Sequence, residues 1–222
     1  MPDPERGRIA VGLEVSPRKT FASALEWPGW SRAARDEAAA LDALEAARER
    51  YAAVAAAAGL ALPADAALDP LERHAGTATT AFGAPDVAFE ADRRPLNDPE
   101  AARLASLVDA AWRHLAAVAA GAPGALRKGP RGGGRDRDAV VAHVVAADAA
   151  YARQIGLRVA EPAAADRAAV AAMREAMLAM LRQPSDGTPI AGRRWPARYA
   201  ARRIAWHALD HAWEIEDRSD PA

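Results

Sequence analysis

The sequence predicts an α+β protein in two parts: a small α+β domain over residues 1–95, then a four-helix bundle over residues 96–222. Two short segments rich in β-branched and aromatic residues face each other across a proline-containing turn near the start. Beyond Asn97-Asp98-Pro99, apolar residues recur at helical spacing in four stretches of about 18–23 residues separated by loops. A chain of 222 residues can bury a substantial core, but its 51% hydrophobic content is weighted toward alanine. Alanine forms helices well and adds little burial, so the larger apolar side chains must carry the packing.

Taken in order, RIAVGLEV (8–15) and TFASALEW (20–27) read as a hairpin around Ser16-Pro17-Arg18-Lys19, and Pro28-Gly29 stops the second strand. Asp36 caps a helix from about 37 to 58, with Leu41, Leu44, Tyr51 and Val54 at roughly helical spacing and Gly59 as its stop. Residues 60–95 return to Pro, Gly and the segments TATTAF and DVAFEA, which read as further strands or an ordered connector. Asp98 with Pro99 opens the first long helix, running to about 120. The second runs from Asp136 or Asp138 to about Ile155 and the third from about Ala164 to Arg182. The fourth runs from Trp195-Pro196 to about Asp217.

Composition narrows the function classes. The formal net charge is −1 and the arginines are scattered, which disfavours a nucleic-acid binder. Cysteine is absent, so disulfides, thiolate metal ligands and a cysteine nucleophile are all ruled out. The first residues lack a secretory apolar core and no apolar run reaches ~18 residues, so a soluble cytoplasmic protein with no membrane partner is the expectation.

Two of the five histidines, His207 and His211, stand four apart in AWHALDHAWEIED (205–217). At that spacing both project from one helix face about 6 Å apart, a separation that suits a shared divalent ion. Ile204, Ala208 and Ile215 continue the face, so it points into the bundle, where two unpartnered imidazoles would cost a few kcal/mol. The competing account is a pair of satisfied core or surface histidines. A third ligand must come from another helix: His143 on the second, or His114 on the first. The segment is no zincin motif, because Ala208 stands where H-E-x-x-H needs glutamate.

RDRDAVVAHVVAADAAYARQIG (135–156) followed by RYAARRIAWHALDHAWEIEDR (198–218) resembles the DinB-like (damage-inducible-B) metalloproteins over about residues 98–218. The resemblance implies a four-helix bundle holding one divalent metal through one histidine of the second helix and an H-x-x-x-H pair of the last. Here those are His143, His207 and His211. It further implies thiol-dependent transferase or isomerase chemistry on a small-molecule substrate, with a low-molecular-weight thiol such as mycothiol or bacillithiol as cosubstrate, and a homodimer. All-histidine ligation also admits a metal-activated water and hydrolysis. Zinc and nickel lead the candidate metals, with copper, iron and manganese behind them.

Neighbouring residues have two readings each. Glu214 either accepts a ring N–H from the histidine pair or acts as a base, or else pairs with a surface arginine. Asp210 is offset by about 100° from His211 and reaches toward a neighbouring helix. Asp148 and Tyr151 follow His143 at a distance, and Trp206 with Trp213 forms an aromatic seam. The loop LRKGPRGGGRDRD (126–138) lacks the G-K-[ST] ending of a phosphate-binding loop. It enters the helix of His143, so Arg131, Arg135 and Arg137 are placed to attract an anionic cosubstrate. The arginines of RRWPARYAARR (193–203) are spread around their helix, and a solvated face is the expectation.

TFASALEWPGWSRAARDEAAALDALEAARERY (20–51) is similar to the HicB-like fold, in which a strand ending in a Pro-Gly turn precedes an acid-rich helix start. Such domains mask ribonuclease toxins. The similarity therefore leaves a competing class: a non-enzymatic interaction protein whose first half binds a partner and whose bundle is structural. Alternatively the first half is an accessory layer that covers the metal site or mediates dimerisation.

Overall fold

The computed structural model describes residues 7–129 and 133–219. The fold is mixed α+β, a four-stranded sheet followed by helices. Strand β1 (Arg8–Val15) pairs antiparallel with β2 (Thr20–Ala24), and β2 pairs antiparallel with β3 (Ser31–Ala34). Helices α1 (Glu37–Ala46) and α2 (Arg48–Ala57) then carry the chain back to β4 (Ala67–Ala75), which joins the far side of β1 in parallel. The sheet order is therefore β3-β2-β1-β4, and the central strand β2 is buried along its whole length.

The expected hairpin is present, but the second strand ends at Ala24, and the chain then turns tightly through Gly29. Its φ of +95° suits glycine, and a Cβ there would lie 2.6 Å from a Leu209 methyl. Beyond the turn, Trp30 is fully buried, donates to the Leu44 carbonyl at 2.9 Å and stacks on Tyr51 at 5.4 Å. The single helix expected over 37–58 is broken at Ala47, a bend that lets Arg48 donate to the carbonyls of Pro63 and Ala66. TATTAF is a short helix, α3 (Ala78–Phe82), rather than a strand, because Thr77 caps its first amides. DVAFEA is not a strand either. The amides of Asp86 and Val87 donate to buried Glu14, and Glu90–Arg93 form a 3-10 turn. Strand β4 carries Pro70, which an edge strand beside a register shift tolerates.

The four long helices are α4 (Asp98–Gly121), α5 (Arg137–Gln154), α6 (Arg167–Leu181) and α7 (Ala197–Arg218). Asn97 and Glu100 form a reciprocal capping box on α4, with proline in its first turn. Each of the four packs on the other three, with α4 and α7 in the most extensive contact. One continuous apolar cluster runs from Ile9 and Val11 through Leu107 and Val144 to Ile204 and Ile215, joining sheet and helices. No helix among the described residues is long and apolar enough to cross a membrane.

Helix α7 is the axis of the molecule. Residues 197–209 are all buried, since α4, α5 and α6 cover one side and the sheet layer covers the other. The solvated arginine face expected over 193–203 holds for exposed Arg193 and Arg194 but is overturned on the helix itself, where Arg198, Arg202 and Arg203 are 5%, 6% and 9% exposed. Arg202 forms a bidentate pair with buried Asp92, and Arg198 bridges Glu26 and Glu100. Glu26 and Asp92 of the first half, with Glu100 of α4 on Arg198, thereby supply the counter-charges for two of these three buried arginines.

Candidate metal centre

His207 and His211 project one turn apart from α7, and α5 brings His143 against both. The ring centroids of His143 lie 5.1 Å from His207 and 4.9 Å from His211, and the α7 pair is 4.7 Å apart. One ring nitrogen from each of the three lies within 4.8 Å of the others. A tetrahedral ion with ~2.1 Å bonds needs nitrogens roughly 3.4 Å apart. Small rotations of the rings close that difference, so the three histidines lie close enough together to hold a metal ion.

Two further observations test the fit. The Nδ1 atom of His207 is buried and has no hydrogen-bond partner, an expensive arrangement for a structural histidine. Burial, reinforced by the charges of His211 and Arg203, pushes the His207 ring down to about 2. Burial likewise lowers His143. Both imidazoles are therefore neutral ligands near pH 7, the form a metal requires. His211 differs in having a partner: its Nδ1 lies 2.7 Å from Glu214 Oε2. The His211 hydrogen bond holds Glu214 below the usual carboxylate range, so Glu214 is the acceptor and Nδ1 carries the proton. With Nδ1 committed to Glu214, Nε2 is the His211 nitrogen available to a metal, the pattern by which carboxylates orient metal-ligating imidazoles. Arg218 donates to the second Glu214 oxygen at 2.6 Å and to the Arg127 carbonyl at 2.8 Å, anchoring this chain to the loop before α5.

The other candidates are distributed unevenly. Asp210 faces the sheet, 3.7 Å from Arg32, and takes no hydrogen bond from the histidines. His114, the rival third ligand, is away from the cluster and lies 3.4 Å from Glu216. Arg135 is exposed in the loop just before α5, and its charge is felt at both His143 and His207. Arg137 instead ties the loop together, donating to Asp138 and to the Ala122 carbonyl. Arg131 lies outside the described residues. Asp148 is fully buried and bound by Arg174 of α6 and Trp112 of α4.

Two residues around the site carried no functional expectation. Tyr199 and Arg203 are buried, and with His207 and His211 they occupy positions 199, 203, 207 and 211, a stripe of uninterrupted four-residue spacing. That extension of the histidine pair toward the helix N-terminus was the available signal. The ring of Tyr151 contacts its two middle members, 5.6 Å from the His207 ring and 5.4 Å from the Arg203 guanidinium carbon.

Comparison with known proteins gives no relative to borrow from: no family model matches the chain, and no curated protein or solved structure matches it.

Proposed function

We propose that His143, His207 and His211 hold one divalent metal, zinc or nickel, and that the protein is a DinB-like metalloprotein acting on a small molecule. The observation that carries the proposal is the convergence of three imidazoles from two helices, with a buried ring nitrogen of His207 left without a protein partner. Three histidines leave coordination positions open, and a divalent ion there supplies Lewis acidity that activates a thiol or a water.

The chain's own groups divide the remaining work. Glu214 fixes the tautomer and orientation of His211, and Arg218 holds Glu214 in place. Tyr151 packs edge-on against His207 and limits its rotation. Exposed Arg135 places positive charge beside the histidines, where it draws an anionic thiol cosubstrate. With no cysteine in the sequence, the sulfur nucleophile belongs to that cosubstrate, and the step is a transfer or isomerisation. The N-terminal order of three antiparallel strands, helices and a parallel edge strand supports a HicB-like layer whose role is accessory: it walls α7 and offers acids to Arg198 and Arg202.

Metal analysis of protein purified without chelator tests this. About one equivalent of zinc or nickel, lost in both His207→Ala and His143→Ala, is the expected result. Metal-free protein of equal stability would instead favour a structural bundle and a partner-binding sheet layer.

A further inference from the structure

Arg203 is the one arginine of the buried trio on α7 for which the sheet layer provides no acid. None of its nitrogens has a hydrogen-bond or carboxylate partner among the described residues, and its buried Nη1 is wholly unsatisfied. Its guanidinium rests on the faces of Trp206, at 4.7 Å, and Tyr151, at 5.4 Å. Cation–π contact offsets only part of the cost of burying a charge. The nearby acids are committed elsewhere: Asp86 accepts from the Thr77 hydroxyl, and Glu14 accepts from Thr80 and the amides of Asp86 and Val87.

Two more unsatisfied groups stand beside it. Tyr199 Oη and Trp206 Nε1 are buried without partners, although the residues are only 3% and 5% exposed. Tyr199, Arg203 and Trp206 all line one small, partly open cavity between α7 and the Gly29–Ser31 segment, with room for about one water-sized group. The indole and the guanidinium can only donate, and the phenol can donate as well. Unpaired donors around a buried positive charge favour an anion accepting several hydrogen bonds, since a neutral water would satisfy the donors and leave the charge uncompensated.

We infer that Arg203, Tyr199 and Trp206 form a subsite for the carboxylate of a small-molecule ligand, one oxygen entering the cavity and the other remaining at its mouth. Arg203 supplies the charge, while Trp206 and Tyr199 set the orientation. Arg203 and His207 stand one turn apart on α7 and share contact with Tyr151, so the carboxylate sits within one helix turn of the histidines and belongs to the molecule acted on there. Only this last statement, that the carboxylate belongs to the molecule acted on at the histidines, rests on the metal-centre proposal.

Formate is the probe, added at fixed ionic strength to the full chain while thermal stability is followed and metal content is measured on the same samples. Wild type is expected to show a saturable rise in Tm with formate. Apparent affinity falls roughly tenfold or more in Trp206→Phe and in Tyr199→Phe, each of which removes one donor and leaves an aromatic ring in place. Arg203→Met abolishes the response and, having lost an uncompensated charge, is at least as stable as wild type without formate. An equal shift in wild type and Arg203→Met, no shift in wild type, or a response to chloride but not formate overturns the inference. If Arg203→Met does not fold, undiminished formate affinity in both aromatic variants overturns it equally. Formate binding in metal-free protein sinks the metal proposal and leaves the subsite standing; bound metal without a formate response does the reverse.

Discussion

Nδ1 of His211 lies 2.7 Å from Oε2 of Glu214, and Arg218 holds the other carboxylate oxygen at 2.6 Å. The carboxylate thus sits between an imidazole and a guanidinium, and its pairing dictates which ring nitrogen faces His143 and His207. Loss of such an orienting partner costs metal affinity about 10–100-fold. Glu214→Ala is expected to weaken metal binding by that factor in competition against a chromophoric chelator. Affinity equal to wild type would show that Glu214 does not orient the ligand.

The unpartnered Nδ1 of His207 makes opposite demands on the metal-free and metal-bound protein. Without metal, a buried unsatisfied nitrogen costs about 1–3 kcal/mol, so His207→Phe is expected to stabilise the chelated protein by up to that amount. Added metal stabilises wild type by ~2.7 kcal/mol at a hundredfold excess over Kd. The variant gains nothing. Urea unfolding with and without chelator measures both effects.

Asp148 titrates in an unusual direction for an ion-paired acid. Burial pushes it up to about 6 from an ordinary 3.8, against the opposing pull of Arg174 and the Trp112 N–H. With the native pKa raised, the folded state binds more protons than the unfolded state between about pH 4 and 6. The stability that Asp148 contributes is therefore fully present below pH ~4 and is lost as pH rises through 6. The stability of wild type relative to Asp148→Asn is expected to fall by a few kcal/mol across that window. A relative stability that instead rises with pH would mean Arg174 dominates and the native carboxyl lies below 3.8.

Arg202 and Asp92 are bound to each other at 2.5 and 2.9 Å with almost no exposure. Removing one partner strands a buried charge. Arg202→Met is expected to cost about 3–5 kcal/mol in chemical denaturation, whereas Arg202→Met combined with Asp92→Leu recovers most of the loss. Additive losses would show the pair to be uncoupled.

The four long helices were legible from local signals. Asp98-Pro99 marked the start of α4, although the cap itself is Asn97, one residue earlier than expected; glycine and proline clusters separate the helices, and the apolar stripes repeat at helical spacing. The first half was less legible. β3 is only four residues of Ser-Arg-Ala-Ala, and β4 carries a proline and alternates weakly, so neither has a strong strand pattern. Both exist because β2 and β1 offer them edges to pair with. The bend at Ala47 is likewise stabilised by Arg48 reaching residues 63 and 66, contacts outside any local window.

For the histidines, spacing alone determined that His207 and His211 share a face, because i,i+4 geometry is a property of one helix. Which third ring joins them was decided by tertiary structure: α5 packs His143 onto α7, while His114 turns to Glu216. The fate of the α7 arginines was decided in the same way. Scattered cations predict a solvated helix unless other layers surround it. Here three helices and a sheet do, leaving two arginines paired with acids distant in sequence and Arg203 with none. Local chemistry sets what a segment can form; burial and counter-charge depend on neighbours that only the folded chain supplies.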